Sequence, residues 1–337
     1  MAEERFLLVR LGSLGDVIFT LPAVAALRQS FPSAQIDWLI DRRWLALVAG
    51  NPHVTNVIEL RDRAAATYIQ CARKLRERRY SCAIDIQGLY KSALLARISG
   101  APRRIGFMRE FVREAGAAAL YTERIAPREP HMVGQNMELA IAAGATRIPA
   151  QFPLQVSGEA KRKVDTLLNN QRTNQFAVFS PGGGWRSKCW PAERFGEVAA
   201  RVTREFGLRC LVNAGPGEEE MARVAAKSSE GVLQELPAIP LDQLMAMLRR
   251  ASLVVAADSG PLHLAVALGT PVVGLFGPTN PARNGPYRPD DIVVRNAGAA
   301  ETTYKRRDAY SPAMLSITTE QVVDAIGRRL SVAATKR

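Results

Sequence analysis

Three short segments hold residues whose types and spacing could do chemistry. In Arg10-Leu11-Gly12-Ser13-Leu14-Gly15-Asp16 an apolar run ends, two glycines permit a tight turn, and a carboxylate stands where a helical pattern begins. Helix-start amides attract anions, and a carboxylate among them would repel a phosphate. Asp16 therefore reads as a base rather than a phosphate partner, with helix capping as the competing reading. The second segment, Ser180-Pro181-Gly182-Gly183-Gly184-Trp185-Arg186-Ser187-Lys188, follows another apolar run. Its three glycines would let backbone amides approach a diphosphate closely, and Lys188 adds a mobile positive charge. It lacks the GK[ST] ending of a Walker loop. In the third, Asp258-Ser259-Gly260-Pro261-Leu262-His263 again joins a strand end to a helix start. Its amides and the Ser259 hydroxyl suit a phosphate, whereas Asp258 could simply brace the turn and His263 could be a structural histidine.

The elements needed to position these segments are legible as two βα series. The first has strand patterns at Phe6–Val9, Ile36–Ile40, Val57–Leu60 and Cys82–Ile86, and the rhythm weakens near Pro149 to Pro153. After a helical stretch around Lys161 to Asn169, the second has strand patterns at Phe176–Ser180, Leu208–Val212, Leu253–Ala256 and Val272–Phe276. Strands alternating with helices predict parallel sheets, so the expected fold is α/β with two Rossmann-like halves. A last helix, around Thr319 to Leu330, has no strand after it and could pack across the junction.

Composition narrows the classes. With 337 residues, 47% of them hydrophobic and 23% charged, the chain can build two ordinary cores. No apolar run approaches the ~18 residues of a membrane span, and the N-terminus enters a strand pattern directly, so a cytoplasmic protein is expected. Four cysteines, Cys71, Cys82, Cys189 and Cys210, lack any paired spacing and read as reduced thiols. The net charge of +13 points to a polyanionic partner. The basic runs Arg61 to Arg79 and Arg103 to Arg113 carry few aromatics, unlike a single-strand nucleic-acid groove, and part of each reads as a solvated helix face.

Together LGSLGDVIFTLPAVAALR, IDIQGLYKSALLAR, SPGGGWRSKCWP and ADSGPLHLAVALGTPVVGLFGPTNP resemble glycosyltransferase family 9, the heptosyltransferases, over essentially the whole chain. The Asp85–Ser92 segment is closest to the type I enzymes, while the glycine-rich turn before Lys188 is partly like type II. The resemblance implies a GT-B architecture: two Rossmann-like domains with parallel sheets facing across a cleft, residues 1–157 binding acceptor and 158–337 binding a nucleotide sugar. It implies an inverting transfer of heptose from ADP-heptose to the Kdo-lipid A inner core of lipopolysaccharide, at the cytoplasmic face of the inner membrane. Asp16 would be the catalytic base. Ser180, Gly182, Gly183, Lys188, Asp258, Ser259, Gly260 and His263 would hold the donor diphosphate, with Glu218 or its neighbours Glu219 and Glu220 on the ribose. Ser13, Gly15, Arg61, Arg63, Lys91, Arg109 and Arg113 would meet the anionic acceptor.

No cofactor is expected. Asp-x-Asp, the metal-holding pair of other nucleotide-sugar enzymes, does not occur; Asp290 and Asp291 are adjacent, so metal-independent transfer is the expectation. Two rivals stand. An NAD-dependent oxidoreductase would use the first glycine turn with Asp41 on a ribose, although the full GxGxxG is missing. A non-catalytic binder of nucleic acid or anionic lipid rests on charge alone.

Overall fold

The computed structural model describes residues 4–62, 64–168 and 175–335, which form two compact units, 1–155 and 156–337. In the first, strands β1 (Arg5–Val9), β2 (Gln35–Asp41), β3 (Asn56–Leu60), β4 (Cys82–Asp85), β5 (Arg103–Phe107) and β6 (Glu123–Ile125) form one sheet in the order β3-β2-β1-β4-β5-β6. Every pairing is parallel. The helices are α1 (Leu14–Ser30), α2 (Leu45–Val48), α3 (Ala65–Glu77), α4 (Tyr90–Ile98) and α5 (Met132–Ala142).

The second unit repeats the plan. Strands β7 (Phe176–Ser180), β8 (Arg209–Val212), β9 (Leu233–Glu235), β10 (Leu253–Ala257), β11 (Val272–Leu275) and β12 (Ile292–Val294) lie in the order β12-β11-β10-β7-β8-β9, again all parallel. Its helices are α6 (Gly158–Leu168), α7 (Ala192–Phe206), α8 (Glu219–Lys227), α9 (Leu241–Arg250), α10 (Gly260–Ala267), α11 (Pro281–Asn284), α12 (Pro312–Leu315) and α13 (Thr319–Thr335). α13 packs on α7, β11 and β12 of its own unit.

Both orders are the doubly wound 3-2-1-4-5-6, with a topological switch between the first and fourth strands of each unit. The inner strands are buried on both faces, as in Leu7, Leu8 and Val9 of β1 and Leu253 to Ala257 of β10, because helices cover both sides of a parallel sheet. That is why they read as continuous apolar runs. β5, β6, β9 and β12 were not legible as strands. β6 and β9 are three-residue edge strands without an apolar run, and β5 opens on two arginines. The basic run from Arg103 to Arg113 is therefore not a helix face: it is β5 followed by a loop and a 3-10 turn, Arg109–Phe111. The earlier run does include a solvated helix, α3. All four cysteines are buried, free thiols.

Candidate active site

The chemistry-bearing segments sit at the C-terminal ends of the strands flanking each switch, where doubly wound sheets take their ligands. In the first unit Asp16 occupies the third position of α1 and Ser13 is its N-cap. Asp16 Oδ2 accepts from the Ser13 amide at 3.0 Å and the Ser13 hydroxyl at 2.9 Å, while Oδ1 meets Arg10 Nη2 at 2.7 Å. Capping is thus real, yet the Asp16 side chain keeps 35% of its surface exposed, so a substrate hydroxyl can reach it. Gly15 lies buried in the same first turn.

Arg10 and Gln87 were missed in the sequence. Arg10, itself buried, donates Nη1 to the Ile86 carbonyl at 2.5 Å, which fixes the guanidinium under Asp16. Gln87 follows β4 and accepts through Oε1 from the amides of Leu11 at 2.9 Å and Gly12 at 3.3 Å, tying the loop after β4 to the turn after β1. Asp85, fully buried, accepts from the Gln87 amide, Ser92 Oγ and Tyr121 Oη and holds that loop in turn. Burial pushes the Asp16 carboxyl up, but the Arg10 charge and the Ser13 donors together outweigh it and set its pKa below the ordinary carboxylate value.

In the second unit the turn after β7 and the turn after β10 meet at Asp258. Lys188 Nζ lies 3.1 Å from Asp258 Oδ2, His263 Nε2 3.2 Å from Oδ1, and Asn284 Nδ2 donates to Oδ2 at 3.3 Å. Lys188, Asp258 and His263 are all buried. Burial would raise the Asp258 pKa, but Lys188 foremost, then the His263 ring, hold it well below the usual carboxylate range. Asp258 is therefore the hub that orders the cation, more than a brace for its own turn. Around it Ser180 Oγ, Ser187 Oγ, Ser259 Oγ and Asn284 Oδ1 are buried with no hydrogen-bond partner among the described residues. Buried polar atoms seldom stay so, and a cluster of them beside a lysine suits a polar, anionic ligand. Gly260 opens α10, whose N-cap is Ser259.

Glu218 resolves from its neighbours. A methyl at Gly182 would lie 1.9 Å from Glu218 Oε2, so this carboxylate rests against the glycine turn, and it also accepts from the Gly215 amide at 3.0 Å. Gly183 is buried beside it in the same turn. Glu219 folds back onto the Gly217 amide and Glu220 pairs with Arg223 at the surface. The Lys188 turn also has a strap with no signal in the sequence motifs. The Ser187 amide donates to the Arg307 carbonyl at 3.2 Å, the Arg186 guanidinium stacks 4.1 Å from the Tyr310 ring, and Lys188 and Arg306 lie 4.1 and 5.1 Å from the Trp185 ring.

The first-unit cations do not converge. Arg61 is exposed and 3.9 Å from Glu59; Arg63 lies outside the described residues. Lys91 and Arg113 are exposed and make no ion pair among the described residues, whereas Arg109 lines a cavity with Tyr90 and Arg124. Asp41, the ribose partner required by a dinucleotide reading, is bound by Arg43 at 2.7 Å. Among the described residues no group of three or more His, Cys, Asp or Glu is placed to hold a metal, and no helix is long and apolar enough to cross a membrane.

Comparison with known proteins places the chain in a family. The family model for glycosyltransferase family 9 (heptosyltransferase) matches residues 68–314. Lipopolysaccharide heptosyltransferase 1 of Pseudomonas aeruginosa is 30% identical over 322 residues, covering 91% of this chain and 88% of that protein. The Escherichia coli heptosyltransferase WaaC, solved with ADP, is 25% identical with a TM-score of 0.76, covering 96% of this chain and 99% of that one. The E. coli ADP-heptose heptosyltransferase II structure shares the fold at a TM-score of 0.82 and 22% identity, covering 98% and 99%. The chain belongs to glycosyltransferase family 9, among the lipopolysaccharide heptosyltransferases, and has their GT-B fold.

Proposed function

We propose that this protein transfers heptose from ADP-heptose, with inversion, to the Kdo-lipid A inner core. The observation that carries the donor half is the buried Lys188, Asp258 and His263 set at the switch point of the second unit, in turns whose Ser180, Ser187 and Ser259 hydroxyls are buried without a partner among the described residues. A diphosphate there would take hydrogen bonds from Ser180 and Ser259 and from the α10 first-turn amides, and charge from Lys188, while Glu218 beside Gly182 accepts from the ribose hydroxyls. The ADP complex of E. coli WaaC supports the choice of nucleotide.

In the transfer, the acceptor hydroxyl oxygen attacks the anomeric carbon as the bond from that carbon to the diphosphate oxygen breaks. ADP departs with the electron pair, Lys188 and the helix-start amides stabilise its growing charge, and the hydroxyl proton passes to Asp16. A carboxylate held at a low pKa is a poor base for a free alcohol. It suffices once the forming carbon–oxygen bond has acidified the hydroxyl, so proton transfer comes late in the displacement. Lys188 and the amides supply the electrostatic stabilisation that a metal gives elsewhere, so transfer needs no metal; full activity in EDTA tests this.

The acceptor half rests on the exposed cations Arg61, Lys91, Arg109 and Arg113 of the first unit, with Ser13 and Gly15 beside Asp16. The basic surface suits an anionic glycolipid reached from the cytoplasmic face of the inner membrane, with the protein peripheral to it. Transfer assays comparing Kdo-lipid A with its form lacking Kdo test the acceptor. Equal rates on both would refute it.

A further inference from the structure

We propose that Arg306 is a second cation for the donor diphosphate, carried to it by the strap from Thr303 to Tyr310 and set beside Lys188 by the ring of Trp185. The proposal deepens the donor reading given above and rests on it.

Charge shows why a second cation is needed. Lys188 Nζ already lies 3.1 Å from Asp258 Oδ2, and the Glu218 carboxylate rests against Gly182 in the same turn. The set holds two carboxylates against one lysine and one histidine, so even a protonated His263 leaves it without net positive charge. A diphosphate, with charge on each phosphate, would enter it uncompensated.

The strap is fastened on both sides of Asp258. At one end the Thr303 amide donates to the Pro278 carbonyl at 2.7 Å. There Arg283 of α11 lies 5.4 Å from the Tyr304 ring, one residue before the Asn284 that donates to Asp258. At the other end the Ser187 amide donates to the Arg307 carbonyl at 3.2 Å, and Arg186 lies 4.1 Å from the Tyr310 ring. Between these anchors Arg306 Cζ lies 5.1 Å and Lys188 Nζ 4.1 Å from the centre of the Trp185 ring. The two cations are no further apart than the sum of those distances, a gap that two linked phosphates, each reached by a hydrogen bond, can bridge.

Arg306 is exposed and makes no ion pair among the described residues. The cation–π contact steadies its guanidinium and leaves the planar fork of N–H groups for phosphate oxygens. As the bond from the anomeric carbon to the β-phosphate oxygen breaks, ADP takes the electron pair and the acceptor proton passes to Asp16. Arg306 then neutralises part of the charge arriving on the β-phosphate.

The test is calorimetric titration of the full chain with ADP and with AMP at low and high salt, comparing wild type with Arg306→Gln and Arg306→Lys. Arg306→Gln should weaken ADP about tenfold and AMP less than about twofold, and the salt dependence of ADP binding should become shallower. Retained AMP affinity shows that the variant folds. Arg306→Lys, which keeps the charge, should bind ADP within about threefold of wild type. An unchanged preference for ADP over AMP in Arg306→Gln overturns the proposal and leaves the donor reading standing, whether both ligands bind as in wild type or weaken together as loss of a strap contact would make them. As deep a loss in Arg306→Lys as in Arg306→Gln overturns it too. A wild type that binds ADP no better than AMP removes the diphosphate site and overturns both readings.

Discussion

Lys188 Nζ and Asp258 Oδ2, separated by 3.1 Å and by the whole of three βα units in sequence, join the two turns that flank the switch point of the second sheet. Both groups are buried, so removing one leaves the other charge without its partner. Asp258→Ala should cost about 3–5 kcal/mol of stability, measured by urea denaturation. The depressed pKa means Asp258 contributes fully above the ordinary carboxylate value and loses that contribution only as pH falls through its lower folded value. Asp258→Asn should lack this part of the acid dependence.

Arg10 acts on Asp16 through an ion pair of 2.7 Å. With the guanidinium gone, burial is opposed by the Ser13 donors alone, and the Asp16 pKa rises. The acid limb of the kcat/KM profile should therefore move to higher pH in Arg10→Gln, and transfer should drop most on the acid side. An unmoved limb would show that Arg10 does not tune the base.

Gly182 is required by the closeness of Glu218. Gly182→Ala forces the Glu218 carboxylate off the turn, and because that carboxylate ends a flexible side chain the fold tolerates the move. ADP affinity should fall by the same factor in Gly182→Ala, Glu218→Ala and the double variant. Additive losses in the double variant would argue that the two act separately.

The Tyr310 ring under Arg186 steadies the Lys188 turn. A cation–π contact of about 0.5–1 kcal/mol implies a two- to fivefold loss of ADP affinity in Tyr310→Ala. Tyr310→Phe, which keeps the ring, should bind ADP as the wild type does.

How far the sequence reached follows from what each feature is made of. The inner strands and the three glycine turns were legible because parallel strands buried on both faces are unbroken apolar runs, and because a strand end, glycines and a helix start fall in one short stretch. β6 and β9 carry no such run, and β5 hides its apolar end behind Arg103 and Arg104. The supporting residues were not legible for a different reason. Arg10 sits within a quoted motif, but its tie to Ile86 spans 76 residues, and Tyr310 reaches Arg186 only through the folded second unit. The choice of Glu218 from three adjacent glutamates depended on which one faces Gly182, a matter of helix phase.

The most direct test of the central claim is ADP release from ADP-heptose with deacylated Kdo-lipid A as acceptor, in EDTA, by wild type and Asp16→Ala. The account predicts acceptor-dependent release by wild type that falls at least a hundredfold in the variant while ADP affinity is unchanged. Release that is undiminished in Asp16→Ala, or absent from wild type, would contradict it.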